Sequence, residues 1–196
     1  SWYRWHPLFS GALIKCLEKK YPEDTQFLHE KAIEWFIQNG YPDKAVLHAL
    51  TINQVKKAAE IIDMSAMQAI INFDLSRLIH WINAIPDHLL EQKPSLGIYQ
   101  ATAYFLMGQY NLVETKLVKT EHILEQLSTH NQKPEGYETF IWEINAIRAC
   151  VASIANSTPD EIAAGEKLLE DHTKESDYLY PMLVHALAMG RERLGE

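Results

Sequence analysis

The sequence is poor in the residues that build turn-rich, disulfide-linked or membrane-spanning proteins. Eight glycines and eight prolines among 196 residues are too few for an all-β protein with many tight turns. The two cysteines, Cys16 and Cys150, stand far apart in apolar helical stretches, which favours a reducing cytoplasm over a disulfide framework. We expect both to be buried as small apolar residues. No window approaches eighteen uninterrupted apolar residues, so no membrane span is expected.

Positive charge and chemical motifs are also scarce. The formal net charge of -8 disfavours binding to phosphate backbones or anionic membranes, although a local basic patch stays open. The sequence has no Gly-rich phosphate loop, no His-Glu-x-x-His and no Cys-x-x-Cys, and its nine histidines are scattered singly. We therefore expect no catalytic residue, no bound metal or cofactor, and no direct contact with nucleic acid or membrane.

The apolar residues follow a helical period almost everywhere, as between Val55 and Phe73 and between Phe140 and Ile154. No short stretch alternates in the way a strand would. The pattern predicts an all-α fold with helices at roughly 6–20, 24–39, 42–50, 53–72, 74–85, 87–92, 95–108, 110–129, 135–156, 159–171 and 176–193.

A weak internal repeat accompanies these helices. Gly40 and Gly108 each follow an aromatic-bearing helix, and they are 68 residues apart, which is two periods of the 34-residue tetratricopeptide unit. Gly190 is expected to end the first helix of a further pair. The spacing predicts a degenerate tetratricopeptide-like helical-repeat solenoid, a right-handed superhelix of antiparallel helix pairs.

Four ordered motifs carry a resemblance to a known family over about residues 2–127. They are Trp2-Tyr3-Arg4-Trp5-His6-Pro7-Leu8-Phe9, His29-x2-Ala32-x2-Trp35-x4-Gly40-x4-Ala45-x2-His48-Ala49-Leu50, Leu78-x2-Trp81-x3-Ile85-Pro86-x2-Leu89-Leu90-x3-Pro94-x-Leu96, and Ala103-x4-Gly108. In this order they resemble the segment that closes the winged-helix part of MalT-like regulators and leads into their helical repeats. These are large ATP-binding members of the LuxR group, in the STAND class of signalling ATPases.

The resemblance implies a cytoplasmic segment of a larger bacterial protein, an expectation that fits a sequence opening at Ser1 in an aromatic motif. Residues 1–50 would form the arm at the end of the winged-helix region, and residues 51–196 the helical-repeat region. The ATPase, with its ATP, and the DNA-binding helix-turn-helix would lie outside this segment.

The implied function is non-enzymatic sensing in a transcriptional activator. The expected partners are the neighbouring ATPase and winged-helix module and a small-molecule inducer or regulatory protein. The alternative is a stand-alone tetratricopeptide-like interaction scaffold. A polar N-terminal cap would favour that scaffold, and the aromatic opening of this chain does not.

Two groups of residues are candidate contact sites. Trp2, Trp5, His6 and Phe9 are predicted to dock on the neighbouring module or to drive self-association. A second group, His80, Trp81 and Asn83, is predicted to bind a ligand or partner, because the apolar stripe of that helix is assigned to positions 75, 78, 79, 82 and 85. The other interpretation, in which Trp81 packs in the core, stays open.

Overall fold

The computed structural model describes residues 6–129, 133–155, 158–170 and 178–195, and within these ranges every regular element is an α-helix. The helices are α1 (Pro7–Lys20), α2 (Pro22–Gln38), α3 (Pro42–Thr51), α4 (Val55–Ile71), α5 (Leu75–Asn83), α6 (Asp87–Leu90), α7 (Pro94–Leu106), α8 (Tyr110–Thr129), α9 (Tyr137–Ala155), α10 (Pro159–Glu170) and α11 (Leu179–Leu194). The all-α prediction is confirmed, and each predicted helix has a counterpart at nearly the same position.

The chain divides into two compact units, Ser1–Ile62 and Asp63–Glu196, and the division falls inside α4. In the first unit α2 packs against α3 across the short connection at residues 39–41. The contact buries Ile33 of α2 together with Ala45, Val46 and Ala49 of α3. The predicted module boundary after residue 50 concerns the parts of a longer protein, and it stays a prediction.

The second unit has a continuous apolar core built from α7, α8, α9, α10 and α11. Its members include Ile98, Leu117, Ile147, Leu183 and Leu187, and none of these is more than 4% exposed. Aliphatic side chains at helical spacing supply this core, so burial of apolar surface is its main source of stability.

An arginine joins two of these helices at the edge of the core. Arg148 of α9 pairs with Glu114 and Glu121 of α8, at 2.9 and 2.8 Å from its Nη2. The guanidinium donates to both carboxylates, and this hydrogen bonding lowers the pKa of Glu121. The pairs fix the position of α9 beside α8.

Helices α2, α3, α4 and α7 end in the same way, each with a residue in the left-handed region, at Gly40, Asn53, Phe73 and Gly108. In each case the following amide donates to the carbonyl five residues earlier, which is the Schellman arrangement. These bonds are Tyr41 to Phe36, Gln54 to Ala49, Asp74 to Ala69 and Gln109 to Tyr104, at 2.8–2.9 Å. Gly40, Phe73 and Gly108 are spaced by 33 and 35 residues, so Phe73 occupies the middle position of the predicted 34-residue period.

The prediction that Gly190 ends a helix is wrong. Gly190 lies inside α11, where it is buried against α10, and the helix instead ends at Gly195 with a left-handed φ of 81°. A Cβ on Gly190 would come 2.4 Å from Cδ1 of Ile162. This glycine therefore serves close packing between helices and not chain reversal.

The cysteines differ from each other in burial. Cys150 is fully buried, as predicted, and burial raises the pKa of its thiol to about 12. The same prediction is wrong for Cys16, which is exposed on α1. Across the described part of the chain, no helix combines the length and apolar character that a membrane crossing requires.

Candidate ligand cleft

Helix α5 carries the three residues that the sequence predicted to bind a ligand. His80 and Asn83 are exposed, but Trp81 is only 7% exposed. The premise that Trp81 lies off the buried face is wrong, because the apolar face is wider than the assigned stripe. Trp81 follows buried Leu78 by three residues and so shares its side of the helix. The Arg77 guanidinium lies 5.3 Å from the Trp81 ring centroid and covers it.

The predicted docking residues lie at the start of the chain. Trp2 and Trp5 fall outside the described residues. His6 caps α1, where its Nδ1 accepts from the Leu8 amide at 3.4 Å, and Phe9 is 49% exposed on the first turn. Their docking role stays a prediction. Large apolar side chains are exposed along α1 and α2, among them Leu8, Leu13, Ile14, Phe27 and Leu28.

Helices α5, α6, α7 and α8 surround a cleft of about 120 Å³ in the second unit. Its apolar walls come from Ile82, Ile85, Leu90, Pro94 and Ile123. The polar lining is Asn83, Asp87, Gln100, Lys116, Lys119 and Thr120. Asn83 thus belongs to the cleft, whereas His80 and Trp81 are not among its lining residues. An apolar pocket with a few convergent polar groups is typical of a small-molecule site.

The charges of the cleft come from α6 and α8. Lys119 Nζ lies 2.6 Å from Asp87 Oδ1, and this hydrogen bond holds the pKa of Asp87 below its usual value. Burial, followed by repulsion from Lys119, lowers the pKa of Lys116. Gln100 is 3% exposed and donates to Asn83 Oδ1 at 2.8 Å. The cleft combines two lysines with one carboxylate, so its local formal charge is opposite in sign to that of the whole chain.

Sequence reasoning missed one histidine pair in the first unit. His29 of α2 and His48 of α3 were treated as isolated, yet their Nδ1 atoms lie 2.8 Å apart. The two residues lie on the helices before and after the turn at Gly40. A predicted hairpin of these helices could have indicated that the histidines lie close together. Across the described ranges, no group of three or more His, Cys, Asp or Glu side chains is placed to hold a metal ion.

The histidine pair predicts a loss of stability in acid. Burial and then the neighbouring His29 lower the pKa of folded His48 below the ordinary histidine value of 6.5. The unfolded chain therefore binds the proton more tightly, so stability is complete above about pH 6.5 and falls as the pH drops through the folded pKa. We expect the urea midpoint to decrease between neutral pH and about pH 5, and to decrease less in His48→Gln.

His185→Gln is the control, since His185 is exposed on α11. It should retain the pH dependence of the parent. An identical pH slope in the parent and in His48→Gln would show that the pair does not couple protonation to folding.

The sequence is similar to part of a transcriptional regulator. Over 161 residues, which are 82% of the chain, it is 31% identical to the HTH-type transcriptional regulator MalT of Serratia proteamaculans (strain 568). The chain spans 17% of the length of that protein. No family model matches the sequence, and no solved structure matches it. The likeness supports the resemblance to MalT-like regulators that the motifs indicate.

Proposed function

We propose that this chain is a non-enzymatic segment of a bacterial transcriptional activator, and that it couples binding on its helices to an ATPase and a DNA-binding module elsewhere in a longer protein. The observation that carries the proposal is the 31% identity to an HTH-type transcriptional regulator across 82% of the chain. The net charge of -8 agrees with this role, because DNA contact by the segment itself would be unfavourable.

We also propose that the helices form a tetratricopeptide-like solenoid. The left-handed helix ends at Gly40, Phe73 and Gly108, spaced by 33 and 35 residues, support a repeat near 34 residues. The helical hairpins α2–α3 and α7–α8 are the expected repeat units. A solenoid suits coupling, since a ligand on its surface can favour one arrangement of its ends over another.

The apolar side chains exposed on α1 and α2 support a contact with a neighbouring module of the same protein. Phe27 is 57% exposed and Leu8 is 80% exposed. Burying one large apolar side chain contributes roughly 1.5–3 kcal/mol. We place the inter-module contact on this surface, together with Trp2, Trp5, His6 and Phe9.

We propose that a ligand or partner contacts the exposed residues of α5. His80 and Asn83 are accessible, and Asn83 reaches the cleft. Trp81 would act indirectly: its buried ring would keep α5, which carries His80 and Asn83, in position.

The experiment compares the isolated chain with the full-length protein that contains it. We expect the full-length protein to hydrolyse ATP and to shift duplex DNA that carries its target sites, and the isolated chain to do neither. The alternative is a stand-alone scaffold, and in that case neither activity would be present in the full-length protein. Phosphate release by the isolated chain that survives repurification, or its binding of DNA at physiological salt, would also contradict the proposal.

A further inference from the structure

Two lysines on one face of α8 line the cleft. Lys116 and Lys119 are three residues apart, which places them on adjacent turns of the same helix face. Asp87 of α6 forms an ion pair with Lys119 at 2.6 Å. Within the described ranges Lys116 forms no ion pair, although the Asp87 carboxylate attracts it as well. The cleft therefore holds one positive charge in excess.

The surroundings of Lys116 make that charge costly to leave unpaired. Its side chain is half-buried beside apolar walls that include Ile82 and Ile123, and burial is the first cause of its lowered pKa. Charge interactions are stronger in such surroundings than in bulk water. An anion in the cleft would neutralise Lys116 and reduce its repulsion by Lys119. Distant acidic residues oppose this weakly, because salt screens charges beyond about 8–10 Å.

Besides the two lysines, the cleft contains a neutral hydrogen-bond donor. The Asn83 Oδ1 accepts from Gln100 at 2.8 Å, so the Asn83 Nδ2 group keeps its two hydrogens for another acceptor. Gly97 forms part of the wall without a side chain, and a Cβ there would lie 2.1 Å from Thr120 Oγ1. Glycine thus allows α7 to approach α8 closely beneath the cleft.

We propose that this cleft binds a small anion through a carboxylate or phosphate group, with Lys116 and Lys119 as the cationic contacts and Asn83 as a neutral donor. The volume of about 120 Å³ is about four times the roughly 30 Å³ that one water molecule takes up in the liquid, which is enough for such a group. The site is a property of the second unit alone and does not depend on the proposed role in transcription.

The test is a titration of the chain with inorganic phosphate and, separately, with acetate, at constant ionic strength set by sodium chloride. The readout is the side-chain amide resonances of Asn83 and Gln100 in NMR spectra. We expect saturable shifts with at least one anion, and a loss of affinity of about tenfold or more in Lys116→Gln. Lys116→Arg should retain binding, because it keeps the charge.

Lys167→Gln on α10 is the matched control, since it removes the same charge from an exposed position away from the cleft. Its affinity should equal that of the parent. If only phosphate saturates the site, the ligand binds through a phosphate group. If only acetate saturates it, the ligand binds through a carboxylate. The proposal is overturned if neither anion gives saturable shifts, or if Lys116→Gln binds as tightly as the parent or as Lys167→Gln.

Discussion

Replacing Trp81 by alanine is expected to lower the free energy of unfolding by about 3–5 kcal/mol. The ring is 7% exposed on the same side of α5 as Leu78, so its removal leaves a cavity. Arg77 would also lose the ring face that it covers. In a protein of this size the change corresponds to a decrease of roughly 6–20 °C in Tm.

The matched control for this prediction is His80→Ala, on the same helix but exposed. It should change stability by less than about 0.5 kcal/mol. If Trp81→Ala had the same Tm as His80→Ala, the assignment of Trp81 to the core would be wrong. A recognition role for the indole itself would then regain support.

Replacing Phe73 by glycine is expected to stabilise the chain by about 0.5–1 kcal/mol. Phe73 has a φ of 55° at the end of α4, a conformation that costs a side-chain-bearing residue about 1–2 kcal/mol. The greater freedom of glycine in the unfolded state offsets part of the gain. The ring is 72% exposed, so its packing contribution is small. Urea denaturation measures the difference.

Phe73→Ala separates the loss of the ring from the relief of the backbone, because it removes the ring and keeps the Cβ that disfavours the left-handed region. It should be no more stable than the parent. Should Phe73→Gly prove as unstable as Phe73→Ala, the stability of this helix end would depend on the ring and not on the backbone.

Many helix boundaries were predictable because a proline or a glycine causes them locally. Proline begins α2, α3 and α7 within the first turn, and Gly40 and Gly108 supply left-handed residues after α2 and α7. The left-handed conformation of Phe73 was not predicted, because a phenylalanine in a sequence does not indicate a positive φ. Gly190 was misinterpreted because a helix-ending glycine and a close-packing glycine look alike until the facing side chain, Ile162, is known.

The candidate site was predictable only in part. The exposure of Asn83 and His80 followed from the helical pattern, but the burial of Trp81 depends on how wide the covered face of α5 is. The cleft could not be predicted from the sequence, because it forms only when four helices pack together. No periodicity places Lys119 beside Asp87, which lies 32 residues earlier in the chain. Charge pairs of this kind come from tertiary structure.

We propose above that the chain works within a transcriptional activator. The most direct measurement is to crosslink the full-length protein to the chromosome, sequence the DNA recovered with it, and compare transcripts in a strain that lacks the gene. We expect enrichment upstream of a small set of operons whose transcripts fall in the deletion strain and recover when the gene is restored. Recovery of DNA no greater than from an untagged strain, with unchanged transcripts, would contradict it.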